Sequence, residues 1–186
     1  MHLPIRKKIN NGIVVELDWM YPEEQKQVRA LFNTVILEGN TYPQDKLLFG
    51  DEFTAYWLSR DAFVVRTVEE TGIQQPTGKT VLGAFFLKPN FPGRCSHICN
   101  AGFIVQPAMR GQGIGRLMGE EMLNIATSLG YSAVMFNLVF ETNIASIRLW
   151  QSLGFETIGR IPKAVKLPDG QVVDALMMYK ELGVSG

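Results

Sequence analysis

Apolar residues recur along the chain with two periods, and the switches between them divide it into elements. Residues 13–19 (Ile13-Val14-Val15-Glu16-Leu17-Asp18-Trp19) are rich in β-branched side chains and follow the Asn11-Gly12 turn signal, which predicts a strand. From Pro22 the spacing lengthens. Val28, Leu31, Phe32, Val35 and Ile36 fall on one face of a helix, with Glu23 and Glu24 in its first turn and Gly39 as its stop. Residues 40–50 are polar and aromatic and read as a loop, and residues 53–58 read as a short second helix. Strand patterns over 62–68 and 80–87, joined through Glu69-Glu70, Gly72, Pro76 and Gly78, predict an antiparallel hairpin with a long connection.

After a break at 89–93, residues 98–105 form another strand pattern that ends before Pro107. A helix follows, with Ile114, Leu117, Met118, Met122, Ile125 and Leu129 on one face, Glu120, Glu121 and Asn124 opposite, and Gly130 as its stop. Residues 133–140 are a largely apolar strand, so 98–140 is a strand, helix, strand unit that calls for parallel pairing. A last helix over 143–153 closes at Gly154, and strands over 155–161 and 172–180 flank the Pro168-Asp169-Gly170 turn as a hairpin. The sum is an α/β (α+β) chain of about seven strands, mixed and mostly antiparallel, with about four helices.

A length of 186 residues, 46% of them hydrophobic, suits a single domain over 1–186, with a core at 13–180 and a tail at 1–12. Lys plus Arg and Asp plus Glu both number 18, so no global field draws the chain to nucleic acid or membrane, and any anion site must be local. There is no apolar run of membrane-span length and no signal-peptide core, so a cytoplasmic location is expected. Arg6-Lys7-Lys8 beside Pro4 reads as a solvated tail, with a mitochondrial import segment as the alternative. Cys95 and Cys99 bracket His97, but a structural zinc needs four ligands; reduced thiols and no metal are expected.

The local anion site is Arg110-Gly111-Gln112-Gly113-Ile114-Gly115-Arg116. Glycines at alternate positions let the backbone turn and present its N–H groups, and the arginines add charge at the positive end of a helix. This is a seat for phosphate or pyrophosphate. A dinucleotide fold would place its glycines directly after the first strand; here 106–110 intervene and the sheet begins antiparallel, which disfavours an oxidoreductase.

The run from Val105 to Gly115, with Arg110, Gln112 and the glycines in place, resembles the acyl-CoA-binding motif of the GNAT superfamily of N-acetyltransferases. Asn143, Leu149, Leu153, Gly154 and Phe155 are similar to the second motif of that family, and the element order follows its fold over 13–180. The resemblance implies the GNAT acyl-CoA N-acyltransferase fold, acetyl-CoA as co-substrate and a small-molecule amine as acceptor. It implies that the backbone of Gly111, Gln112, Gly113, Ile114 and Gly115 holds the CoA pyrophosphate, with Arg110 and Arg116 adding charge. Phe103, Ile104 and Val105 would offer backbone groups to the pantetheine arm, joined by Asn143, Ser146 and Trp150. Homodimers are common in the family; the sequence itself does not specify the assembly.

Acetyl transfer to an amine needs a neutral amine, stabilisation of charge on the carbonyl oxygen, and a proton for the thiolate. Many family members carry a tyrosine for the last task where this chain has Trp150, whose indole is no usable acid and reads first as packing. Asn137 interrupts an apolar strand, which predicts a satisfied polar network or a ligand contact, while Asn143 suits a helix N-cap. The set Asn100, Phe136-Asn137-Leu138-Val139 and Asn143 resembles fungal GNAT enzymes that acetylate proline analogues such as azetidine-2-carboxylate. That resemblance implies Asn100 and Asn137 as catalytic and substrate-binding residues. Glu38 and Asp174 are candidate bases through water, each with a surface role as the alternative. Thr41, Tyr42 and Phe49 are candidate pocket walls, and Glu38 a further substrate contact. A peptide or protein acetyltransferase and an inactive CoA-binding regulatory domain are the competing functions.

Overall fold

The computed structural model describes residues 2–59, 61–68 and 79–183. Their strands are β1 (Ile5–Lys8), β2 (Val14–Trp19), β3 (Asp61–Thr67), β4 (Val81–Pro89), β5 (Ile98–Val105), β6 (Ala133–Phe140), β7 (Glu156–Lys166) and β8 (Val172–Glu181). The helices are α1 (Gln25–Glu38), α2 (Gly50–Trp57), α3 (Ile114–Ser128) and α4 (Ile144–Ser152). One sheet orders the strands β1-β2-β3-β4-β5-β6-β8-β7, with β5 and β6 as its parallel pair and antiparallel neighbours elsewhere.

Because neighbouring side chains on a strand point to opposite faces, each central strand feeds two cores. Phe63, Val65, Phe85 and Leu87 pack with Ile114, Met118, Met122 and Ile125 of α3. Ala62, Val64, Ala84 and Phe86 pack with Val28, Phe32 and Val35 of α1 and with Phe53 and Trp57 of α2. This double burial explains why β3 and β4 read as continuous apolar runs. All five residues of the expected α1 stripe are buried, and the helix stops at Gly39.

Residues 1–12 are not simply a tail. Ile5–Lys8 forms an eighth strand, in register with Val14–Leu17 of β2, so the sheet exceeds the expected seven. Its cations hid it from the hydrophobic pattern, yet they suit an edge strand: Arg6 pairs with Glu16 at 3.0 Å and Lys7 with Glu120 at 3.1 Å. β7 also runs on to Lys166, beyond the expected end at 161, across an irregular register with Lys163 at φ 52°. The connection carrying Glu69-Glu70, Gly72, Pro76 and Gly78 lies outside the described residues.

On the α1 side, Arg66 of β3 is 1% exposed and meets three carboxylates: Glu16 at 3.1 Å, Asp18 at 2.6 Å and Glu24 at 2.8 Å. Glu24 also accepts from the Tyr21 amide, so this cluster fixes where α1 leaves the sheet. Burial pushes the Glu16 carboxyl up, but hydrogen bonds from Lys79, Arg6 and Arg66 outweigh it and hold the group at about 2. Arg66→Ala leaves buried carboxylates without their cation and is expected to cost about 3–5 kcal/mol in urea unfolding. The unfolded chain protonates Glu16 near its ordinary 4.5 and the folded chain only near 2, so this stabilisation is complete above 4.5 and lost as pH falls through that window. Glu16→Gln should flatten the acid limb of stability against pH by up to about one proton, measured by unfolding at pH 5 to 2.

Candidate active site

β5 and β6 pair only at Ile98 with Ala133 and Cys99 with Val134, then diverge. The opening becomes a cavity of about 920 Å³ whose walls include Tyr42, Lys88, Asn100, Phe103, Asn137, Asn143 and Trp150. Thr41, Ile104, Val105, Arg110 and Ser146 also line it. The sequence therefore brought together residues from five separate segments that do meet in space. Among the described lining residues none is Asp, Glu or His, and the cations are Lys88 and Arg110.

The glycine turn follows directly from Arg110. Gly111 (φ 76°) and Gly113 (φ 94°) take left-handed conformations that favour glycine, and α3 begins at Ile114 without a side-chain cap. The amides of Ile114, Gly115 and Arg116 occupy the first turn, where a helix has no acceptor of its own. They suit an anion. Sequence reasoning missed what supports the turn: the Asn10 amide donates to the Gln112 carbonyl at 3.0 Å, and Asn10 Oδ1 lies 3.2 Å from where a Cβ on Gly113 would sit. Asn10 had only the neighbouring Asn11-Gly12 turn signal to mark it.

The arginines are partly committed. Arg110 pairs with Glu38 at 2.8 Å, and Arg116 donates to Ser152 Oγ at 2.8 Å. Glu38 does not line the cavity and Asp174 is tied to Arg160 at 2.8 Å, so neither expected base stands at the opening. The Lys163 amide, then Arg160, lower the Asp174 carboxyl further, which weakens it as a base.

The Ile104 expectation needs correction. The Asn90 amide bonds to Ile98 O and the Gln106 amide to Leu82 O, so by antiparallel alternation Asn100, Gly102 and Ile104 direct their backbone groups toward β4. Phe103 and Val105 direct theirs into the opening. Of these, the Phe103 carbonyl already accepts from the Tyr42 hydroxyl at 3.1 Å. Burial, then the nearby Tyr56 phenol, holds the Tyr42 phenol well above its ordinary range, so it is a donor at neutral pH. Gly102 permits this approach: a Cβ there would meet the Phe86 ring at 2.5 Å and Tyr42 Oη at 2.7 Å.

At the apex of the opening lies an amide cluster. Asn90, just after β4, donates to Asn137 Oδ1 at 2.9 Å and accepts from Asn137 Nδ2 at 2.6 Å and from Asn100 Nδ2 at 3.1 Å. Asn100 keeps its carbonyl oxygen and one N–H, and Asn137 keeps one N–H. The register shift between Phe136 and Val139 puts Asn137 at a bulge in β6, a usual device for re-aiming a side chain. Asn90 escaped sequence reasoning because an asparagine just ahead of Pro92-Gly93 reads as a turn residue.

Asn143 caps α4 by accepting from the Ser146 amide at 3.2 Å. Trp150 is a packing residue, 5% exposed, with ring centroids 4.8 Å from Phe103 and 4.6 Å from Phe136. Thr41 Oγ1 is buried without a hydrogen-bond partner among the described residues. Cys99 is a buried free thiol pushed up to about 12 by that burial, and Cys95 is exposed.

Comparison with known proteins assigns the chain to a family. Residues 33–155 match the acetyltransferase (GNAT) family, and the chain belongs to it. It is an acetyl-CoA-dependent N-acetyltransferase. The chain is 41% identical over 143 residues to N-acetyltransferase aca1 of Schizosaccharomyces pombe, covering 73% of this chain and 68% of that one. It is 27% identical to the L-methionine sulfoximine/L-methionine sulfone acetyltransferase of Salmonella typhimurium, over 83% of this chain and 87% of that one. A GCN5-related N-acetyltransferase from Kribbella flavida superposes with a TM-score of 0.80 at 31% identity, over 90% of this chain and 98% of that one. The orphaned amides at the start of α3, the Phe103 N–H and the backbone groups of Val105 fit the anionic and amide portions of acetyl-CoA. Gly113→Ala forces an alanine into a left-handed conformation against Asn10, and calorimetry should show CoA affinity falling at least about 10-fold while the fold is retained.

Proposed function

We propose that the acceptor is a small amino or imino acid, of the kind represented by proline analogues such as azetidine-2-carboxylate. The observation that carries this reading is the amide cluster at the apex of the opening, where neutral Asn100 and Asn137 retain donors and an acceptor facing a cavity whose described walls carry no acid. Such a lining can orient a small polar amine without fixing its protonated form through a carboxylate. The Salmonella relative, named for acetylating methionine sulfoximine and sulfone, supports an amino-acid-like acceptor.

In this reading the turn at 111–116 and Arg110 seat the pyrophosphate, and the free backbone groups of Phe103 and Val105 align the pantetheine arm. Acetyl-CoA supplies an activated acetyl thioester. The Asn100 carbonyl accepts a hydrogen bond from the acceptor nitrogen, and the free N–H of Asn137 faces the carbonyl oxygen on which negative charge develops. The C–N bond forms as the C–S bond breaks, CoA leaves as its thiolate, and the amine proton passes to water. Trp150 takes no part in protonating the thiolate; its place is in the aromatic core.

Thiol release from acetyl-CoA should be followed with azetidine-2-carboxylate, proline, methionine sulfoximine and a tetrapeptide with a free N-terminus. The free acids are expected to exceed the peptide by about 100-fold in kcat/KM, and Asn137→Ala to lower kcat by about 10- to 100-fold. Preference for the peptide, or CoA binding with no amine turned over, would overturn the reading.

A further inference from the structure

Lys88 is the charged group at the acceptor end of the cavity, and the expected site residues did not include it. It sits on β4 directly across from Asn100 of β5, so the two side chains stand on the same face of the sheet. Its ammonium lies 5.2 Å from the Tyr56 ring centroid and 5.0 Å from that of Phe86, which hold it as cation–π partners. No carboxylate pairs with it among the described ion pairs, although other cations near the sheet, such as Arg6, Arg66, Lys79, Arg110 and Arg160, each have one. A half-buried cation without a counter-ion, beside amides with spare donors, is complementary to an anion on the molecule that enters.

We propose that Lys88 is the specificity-determining residue that binds the carboxylate of the acceptor, with the free Asn100 N–H as its neighbouring donor. The assignment rests on the small-acceptor reading above and sharpens it: the acceptor carries a carboxylate close to the amine that is acetylated. The aromatic pair places the ammonium and leaves its hydrogens for the ligand, so the positive charge is pre-organised. A carboxamide or ester of the same amino acid keeps the nucleophile and loses the charge partner.

The test uses an amino acid that the enzyme turns over and its carboxamide, measured across pH so that the different amine ionisations are factored out. The native enzyme should favour the free acid. Lys88→Met should raise KM for the acid by roughly 30-fold, with a much smaller change in kcat, in KM for the carboxamide and in KM for acetyl-CoA. Lys88→Arg should recover most of the acid preference. An unchanged acid-to-amide ratio in Lys88→Met, or equal losses on both acceptors, would overturn the assignment while leaving small amino acids as acceptors. Acetylation of peptides in their place would overturn the small-acceptor reading itself, and the Lys88 role with it.

Discussion

β5 and β6 run side by side for two residue pairs and then part, and the cavity exists because they do. Unpaired backbone groups inside a sheet are costly, on the order of 1–3 kcal/mol each if left dry. The parting is sustained because each strand is anchored on its other side, β5 along its length by β4 and β6 by β8. Asn90 spans the apex, bonded to β5 through Asn100 and to β6 through Asn137. Tyr42 reaches one exposed carbonyl from the loop after α1. The opening is thus a supported defect whose remaining groups are presented to ligands.

Features fixed by neighbouring residues were legible in the sequence. The α1 stripe, the α3 stripe as far as Ile125, the stop at Gly39 and the glycine turn follow from local period and backbone freedom and stand where the pattern placed them, whereas Leu129, expected on the α3 stripe, falls at the helix C-cap and is exposed. Features fixed by distant partners were not. The cations of β1 look like a solvated segment until Glu16 and Glu120 are brought beside them. Glu38 looked free to serve the acceptor until Arg110, distant in sequence, claimed it. Asn137 announced itself as an amide in an apolar strand, whereas Asn90, which completes the same cluster, sat in a segment where asparagine is unremarkable. Lys88 followed an apolar run and read as the polar end of a strand; only the rings around it set it apart.

The electrostatics of the cavity form a consistent pattern. Its described walls offer cations, amides and phenols held in their protonated state, with no carboxylate or imidazole among them. Such a field welcomes anionic ligands and disfavours a protonated amine close to Lys88 or Arg110, so a neutral nucleophile is favoured without a fixed base. Among the described residues the buried carboxylates, Glu16, Asp18 and Glu24, gather around Arg66, where they join β2, β3 and the start of α1.

The contact between Asn10 and the glycine turn ties the start of the chain to its middle. The loop between β1 and β2 forms the back wall of residues 112 and 113, although about a hundred positions separate the two segments. The backbone bond from Asn10 to Gln112 holds the turn in place, while the size of the side chain at residue 10 sets the space available at residue 113. The segment ahead of β2 thus helps to set the shape of the glycine turn from behind, and the turn is a product of two distant stretches of chain.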